Sequence, residues 1–407
     1  MAKPQKRRRK VPPAPAAAVR ALRESETRYR VLAEQSSLGI VIHKDFIIRY
    51  ANPALVTLFG YGRVAEVIGR DLRDVLAPSD RPRVEGYATA RRQGEPAPSR
   101  YRCRAVRKDG TRLWVEVTAS PVAWGGEAAV LATVADITER KRSEELAGDQ
   151  TRLAQMIARG APLPDLLDAL TRMIEGHSDG MLASILLLDP DGVHLRHGAA
   201  PSLPASYTSA IDGLAIGPDV GSCGSAAFLG EPVVVSKIDT DARWVPFREL
   251  ALSHELRACW STPIKSSEGR VLGTLALYYR EPREPGLWEL TLIDVATQLA
   301  AIAIEREAVA LRSVAHLANA AAHEINNPLT VILGRLSMLA DRVPAQTPEH
   351  EWVSSAFKAA VRIQSVISRM HEITRLEYLP NRAQDLPPTL DIRKSSHDNP
   401  EAPSGGT

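Results

Sequence analysis

From Thr291 to about Leu339 the chain meets no proline or glycine until Pro328 and Gly334. Both residue types interrupt helices, proline by its missing N–H and its clash with the turn before, glycine by its backbone entropy. So long a stretch without them predicts one helix far longer than the roughly three turns usual in a globular domain. Counted at about 100° per residue, Val314, Leu317, Ala321, Ile325, Leu329, Ile332, Leu336 and Leu339 fall within roughly a third of the circumference, which predicts a buried face. Pro344-Ala345-Gln346-Thr347-Pro348 predicts a turn, with Thr347 suited to cap the next helix and Pro348 to open it. A second helix is expected from Glu349 to about Tyr378, apolar at Val353, Ala356, Ala360, Ile363, Ile367 and Met370. Two such helices form an antiparallel hairpin that is only half a core. Pairing with a second copy as a four-helix bundle completes it, so a homodimer is expected.

Composition limits the rest. With 407 residues, two or three domains are expected. Hydrophobic residues at 44% and charged residues at 24% are an ordinary globular balance, which excludes disorder throughout and a collagen-like chain. The formal charge of +3 argues against nucleic acid as the main partner. No run of about 18 uninterrupted apolar residues occurs, so no membrane span is expected. The first residues, MAKPQKRRRK and a Pro/Ala run, have no apolar core of signal-peptide type. Cys103, Cys223 and Cys259 are too few for a disulfide framework and lack CxxC spacing, which points to a reducing cytoplasm. Residues 1–24 read as a disordered basic tail. Its block Lys6, Arg7, Arg8, Arg9, Lys10 reads as a nucleic-acid or anionic-lipid contact or, more simply, as a solvated arm.

Residues 25–140 alternate short strands and helices. GIVIHKDFIIRYAN reads as two strands turning at Lys44-Asp45, and small helices follow around residues 53–59 and 64–67. Asp109-Gly110 between residues 100–107 and 113–119 is a strong hairpin signal. Leu113, Val115 and Val117 alternate with Trp114, Glu116 and Thr118, so one sheet face is buried. A further strand at 130–134 ends in Asp136-Ile137-Thr138-Glu139-Arg140. With YANPALVTLFGY, RKDGTRLWVEVTASPV and DITERKRSEE in that order, the segment resembles a PAS domain. The resemblance implies a five-stranded antiparallel sheet with flanking helices and a pocket for a small ligand or for dimerisation. Flavin-binding relatives need a reactive Cys in the helical segment, whereas Cys103 falls on a predicted strand. Heme-binding relatives carry a proximal His in a segment like DRPRVEGY, where Val84 stands here and cannot ligate iron. Heme and flavin are therefore disfavoured, and the cofactor is left unknown.

Residues 141–160 continue as a polar linker helix with Leu146, Leu153, Met156 and Ile157 on one side, either a short coiled coil or a single surface helix. Residues 161–306 form a second module. Met181 opens an apolar run to Leu188, Asp189-Pro190-Asp191-Gly192 is a turn, and strands are expected at 232–236, 259–264 and 270–279. GSCGSAAFLGEPVVVSKIDTDARW, LRACWSTPIKSSEGRVLGTLALYYREPREP and LIDVATQLAAIAIERE resemble a bacterial GAF domain, which implies a six-stranded sheet and a pocket. Neither the cyclic-nucleotide residue set nor the Cys-His pair that holds a bilin is seen, so the small-molecule ligand is left open. Cys223 and Cys259 read as a redox pair or, by preference, as small buried hydrophobes. Trp244 and Trp260 read as cavity lining or, by preference, as core.

The hairpin, residues 307–379, carries the string His323-Glu324-Ile325-Asn326-Asn327-Pro328-Leu329. It resembles the phosphoacceptor box of the histidine-kinase dimerisation domain. His323 lies almost opposite the predicted stripe, and an exposed imidazole is a nucleophile near neutral pH. By the resemblance, Glu324 is the acid/base partner of His323, and the residue at Asn327 positions water against a phospho-aspartate on a response regulator. Pro328 removes a backbone donor and is expected to loosen the helix just beyond His323. Residues 380–407 read as a disordered tail, too short for an ATP-binding domain of on the order of 100 residues. No Asn-rich ATP box, Asp-x-Gly-x-Gly lid or GxxxxGK[ST] loop appears.

The expected fold is therefore α+β multidomain: PAS and GAF sheets with flanking helices, joined by helices to a dimeric bundle. Three functions fit. A separate ATP-binding kinase partner phosphorylates His323, which passes phosphate to a response-regulator receiver domain. The bundle removes phosphate from a regulator through Asn327. Or the chain is a non-enzymatic sensing and dimerisation adaptor.

Overall fold

A computed structural model describes residues 16–178 and 180–370. The chain divides into two units, residues 1–148 and 149–407. In the first, α1 (Ala16–Glu34) precedes β1 (Gly39–Lys44), β2 (Ile47–Ala51) and α2 (Pro53–Leu58). Then follow α3 (Arg81–Gln93), β3 (Arg100–Val106), β4 (Arg112–Trp124), β5 (Glu127–Asp136) and α4 (Thr138–Ala158), which ends in the second unit. The sheet is antiparallel in the order β2-β1-β5-β4-β3, five strands as the PAS resemblance implies. Two expectations need correction. Residues 16–24, expected as disordered tail, belong to α1, because Ala-rich sequence favours helix over coil; Lys6 to Lys10 lie outside the described residues. The β1–β2 turn falls one residue later than expected, with Asp45 and Phe46 both in the left-handed region at φ 49° and 66°.

Buried polar groups hold this unit in register. The Asn52 amide, fully buried, accepts from the Ile40 and Leu55 N–H groups at 2.8 and 3.0 Å and donates to the Ala33 and Leu38 carbonyls at 2.9 Å. At the exit, Asp136 accepts from the Thr138 N–H at 2.8 Å and pairs with Arg107 at 3.0 Å. The Thr138 hydroxyl accepts from the Trp114 N–H at 3.0 Å. The Asp136-Ile137-Thr138 string thus fastens the start of α4 to the sheet.

In the second unit, α5 (Leu163–Gly176), β6 (Leu182–Leu188), β7 (His194–Ala199), α6 (Ala205–Ile211) and β8 (Leu214–Ala215) come first. Then come α7 (Gly221–Leu229), β9 (Val233–Val235), α8 (Arg248–Ser253), β10 (Ala258–Lys265) and β11 (Val271–Tyr279). The six-stranded antiparallel sheet runs β8-β7-β6-β11-β10-β9, as the GAF resemblance implies. Gly273 permits the close approach of β11 to β6: a Cβ there would stand 2.2 Å from the Leu186 carbonyl oxygen. Trp244 and Trp260 are core residues, their indole N–H groups donating to the Ser222 hydroxyl at 3.1 Å and the Arg283 carbonyl at 3.0 Å.

The long helix is α9 (Leu287–Ala340), 54 residues, and it runs through Pro328. At its start the Glu289 carboxylate accepts from the Gly286 N–H at 3.1 Å, one half of a capping box, and pairs with Arg283. The turn to α10 (Pro348–Met370) forms as expected, Thr347 Oγ1 accepting from the His350 N–H at 3.3 Å. The rest of the second helix, expected to about Tyr378, and the 380–407 tail lie outside the described residues. By length and composition α9 is also apolar enough to cross a bilayer, with an 18-residue window of mean hydropathy 1.5. Its first half, however, packs on β10, β11 and α5.

Candidate functional site

The hairpin core is small: Ala322 and Leu329 of α9 meet Ala360 and Ile367 of α10, with Leu333 and Leu336 beside them. At about 100° per residue these α9 positions centre some 60–70° from the stripe expected from sequence. Leu317, Ile325, Ile332 and Leu339, expected to be buried, are exposed by 69%, 43%, 48% and 48%. The apolar stripe is two faces merged. One packs on α10, and the other is uncovered within a single chain. On α10, Ala360 and Ile367 are buried, but Ile363 is 49% exposed.

His323 is exposed, about 100–120° around α9 from Ala322 and Leu329 and farther still from the uncovered face. Glu324 and Asn327 are exposed as well. Asn327 lies one turn beyond His323 and about 40° around. His323 and Asn327 thus share a solvent-facing stretch on the side away from both apolar faces, while Glu324 lies about 100° around from His323, beside Leu317 at the edge of the uncovered face. Asn326 sits between this stretch and the packed seam. Its side-chain Oδ1 is buried without a hydrogen-bond partner, and its backbone carbonyl accepts from the Thr330 hydroxyl at 2.8 Å. Pro328 does not break the helix. Of the other hairpin histidines among the described residues, His316 is exposed and His350 has Nδ1 3.2 Å from the Val343 carbonyl.

Sequence reading missed what holds this helix upstream. Glu305 accepts from both the N–H and the hydroxyl of Ser267, in the β10–β11 turn, at 3.1 Å. Arg306, the next residue, donates to the Ile157 carbonyl at the end of α4, at 2.8 Å, and to the Ala161 carbonyl. Asp149 of α4 pairs with His177 at 2.9 Å, and the His177 ring lies 5.7 Å from Trp288 at the start of α9. Linker helix, sheet and α9 are therefore joined at Glu305–Arg306, and α4 meets the start of α9 through His177 about 25 Å upstream. Seventeen residues separate Arg306 from His323, about 25 Å along a helix rising 1.5 Å per residue. A single Arg in a helix carries no sequence signal for such a clamp; its partners are backbone carbonyls brought near only by the fold.

The other candidates lie in the sheet domains. Val84 is buried on α3, and Cys103 is buried on β3, where burial pushes its thiol up to about 11. Cys223 and Cys259 are free thiols buried in the second core, Cys223 Sγ 3.8 Å from the Tyr278 hydroxyl; burial pushes the Cys259 thiol well up. Among the described residues no cluster of three or more His, Cys, Asp or Glu is gathered to hold a metal ion.

Comparison with known families agrees with this architecture. Residues 37–139 match the PAS domain, 162–305 the GAF domain, and 313–379 the His Kinase A (phospho-acceptor) domain. The chain thus carries a PAS domain, a GAF domain and a histidine-kinase phosphoacceptor domain in that order, a set of domains found in two-component sensors. Such phosphoacceptor domains typically dimerise and signal to response regulators. The chain is similar to the methyl sulfide methyltransferase-associated sensor of Methanosarcina acetivorans, 42% identical over 170 residues, which are 42% of this chain and 17% of that one. It is also similar to the sensor histidine kinase ZraS of Escherichia coli, 37% identical over 76 residues, 19% of this chain and 16% of that one. The match thus spans about a sixth of each relative's length. Among solved structures, a domain of a two-component sensor histidine kinase protein from Sinorhizobium meliloti is 25% identical with a TM-score of 0.29, covering 36% of this chain and 93% of that one.

Proposed function

We propose that His323 takes a phosphoryl group in trans from a separate ATP-binding kinase partner and passes it to an aspartate of a response-regulator receiver domain. The observation that carries the reading is the exposed imidazole, turned away from both apolar faces of α9 within the phosphoacceptor match. A ring nitrogen of His323 attacks the γ-phosphorus of ATP held by the partner; the P–N bond forms as the bond to ADP breaks. Glu324, adjacent and exposed, takes or orients the proton on the other ring nitrogen. The receiver carboxylate then attacks phosphorus, the P–N bond breaks, and the imidazole is restored. The domains matched are PAS, GAF and phosphoacceptor, and the reading assigns the ATP-binding step to a separate partner. The PAS and GAF domains supply the signal, acting on α9 through the joint at Glu305 and Arg306. We place the protein in the cytoplasm as a homodimer, on its free thiols and the uncovered hairpin face.

With radiolabelled ATP alone the chain should stay unlabelled. Adding a cognate ATP-binding kinase should label wild type and not His323→Gln. Equal labelling of both would overturn the assignment. A second reading rests on Asn327, exposed one turn beyond His323, where a carboxamide can orient water against a regulator's phospho-aspartate. It predicts faster decay of the phosphorylated regulator with wild type and none with Asn327→Ala. No effect in either assay, with an intact dimer, leaves an adaptor.

A further inference from the structure

A concave site lies in the PAS unit, between β1, the start of β5 and α3. It is a cleft of about 650 Å³, in the size range of small-ligand sites, with Lys44, Asp45, Arg73, Glu85, Arg91 and Arg92 among its lining. His43, Phe46, Ala88, Arg91 and Val130 line both this cleft and an apolar cavity under the sheet, so a polar mouth opens toward an apolar interior.

The charges at the mouth are nearly all matched. Lys44 pairs with Glu127 at 2.8 Å, Arg92 with Asp45 at 2.7 Å, and Arg73 with Asp71 and, at 3.5 Å, Glu85. Arg91 has no carboxylate partner among the described residues. It donates to the Pro98 carbonyl and lies over the Tyr101 ring, 5.6 Å from its centroid. A guanidinium offers five donors in a planar fork that suits a carboxylate.

His43 is the second pointer. It is 6% exposed, and its Nδ1 is buried with no hydrogen-bond partner among the described residues. The β1–β2 ladder shifts register between Ile42 and His43, the kind of bulge that re-aims a side chain. The ring stacks on Phe46 at 5.5 Å, and Phe46 itself is held in the left-handed region, strain of a sort that gathers at ligand sites. Burial lowers the imidazole pKa to about 4, so it meets a ligand as a neutral hydrogen-bonding group. One unmatched cation, one neutral hydrogen-bonder and an apolar interior fit a monoanion with an apolar body better than a phosphate dianion.

We propose that this cleft binds a small aromatic carboxylate, its carboxylate on Arg91 and His43 and its ring against Phe46 toward the inner cavity. The inference stands apart from His323: it is read by binding, and the His323→Gln chain should bind equally.

Calorimetric titration of the full chain with benzoate and phenylacetate, beside benzamide and phenylacetamide, tests it. At least one carboxylate should bind, and its amide should bind about ten-fold more weakly or worse, the scale of a lost charge-assisted hydrogen bond. Arg91→Gln should abolish that preference; Arg91→Lys should keep part of it. No binding by either carboxylate, equal affinity for acid and amide, or an unchanged preference in Arg91→Gln would overturn it. The acid–amide comparison on wild type needs no variant, so it decides even if a substitution impairs folding.

Discussion

The sheet domains and the hairpin solve the burial problem differently. Each sheet domain closes a core within one chain: Val41, Val115 and Cys103 in the first, Leu195, Cys259 and Ala276 in the second, are essentially sealed from water. Among the described residues the hairpin buries Ala318, Ala322, Leu329, Ala360 and Ile367 and leaves Leu317, Ile332 and Leu339 outside. A single helix shows both regimes. In its first half α9 buries Leu292, Ala296, Ala300 and Ala303 in the GAF unit; in its second half most apolar side chains stand uncovered within one chain. On the proposed function, sensing would sit in closed cores, and phosphoacceptor chemistry on a surface whose stability depends on concentration.

The sharpest way to break this contrast is to charge the open face. Ile332→Asp with Leu339→Asp should turn dimer into monomer, a loss of at least about 3 kcal/mol of association, as two charges would have to be buried unpaired. Light scattering reads it, and the sheet domains should melt unchanged. A dimer that survives would show that the uncovered face is not the interface. The converse change, Leu292→Ala, should lower the GAF unit's stability by about 2–5 kcal/mol and leave the dimer intact.

Acid should sharpen the comparison, since it opens a closed core where dilution opens the hairpin. Burial holds the His43 pKa at about 4, against 6.5 for the free side chain. Between these values the unfolded chain binds the extra proton, so PAS stability should fall as pH drops through that window and be unaffected above it. The loss is about 3 kcal/mol at most. Thermal melts of wild type should show this slope and His43→Leu should not; identical slopes would place the acid-labile group elsewhere.

The smallest change is one of phase. One residue inserted near Ala308 rotates His323 by about 100° relative to the Glu305–Arg306 joint, and four rotate it by about 40°. Labelling should lose its response to the sensor domains with one added residue and largely keep it with four. Equal loss would mean that helical phase is not the carrier.

Much of this was legible in the chain, where local chemistry and tertiary context agree. Asp109-Gly110 with alternating Leu113, Val115 and Val117 predicts β3–β4 because a two-residue turn and a one-sided sheet both leave local marks. Thr347-Pro348 marks the start of α10 for the same reason. The β1–β2 turn slips by one because it places Phe46, a residue without turn propensity, at positive φ. No helix was expected over α3: Gly86 and four arginines leave it no apolar stripe. The seam of α9 was misphased because a helix with two partners carries two apolar faces, and a single-stripe reading averages them. Arg306 and His43 were illegible, since each acts through groups distant in sequence.

The direct test of the central claim needs no partner protein. Phosphoramidate, a small phosphoryl donor to imidazole, should modify the folded chain, and mass spectrometry at neutral pH should then locate the phosphoryl group. Of the chain's ten histidines, His323 should carry it, with a bond lost in acid and stable in base. A phosphoryl group found on His316 or His350 instead, or equal modification of His323→Gln, would contradict the assignment of His323.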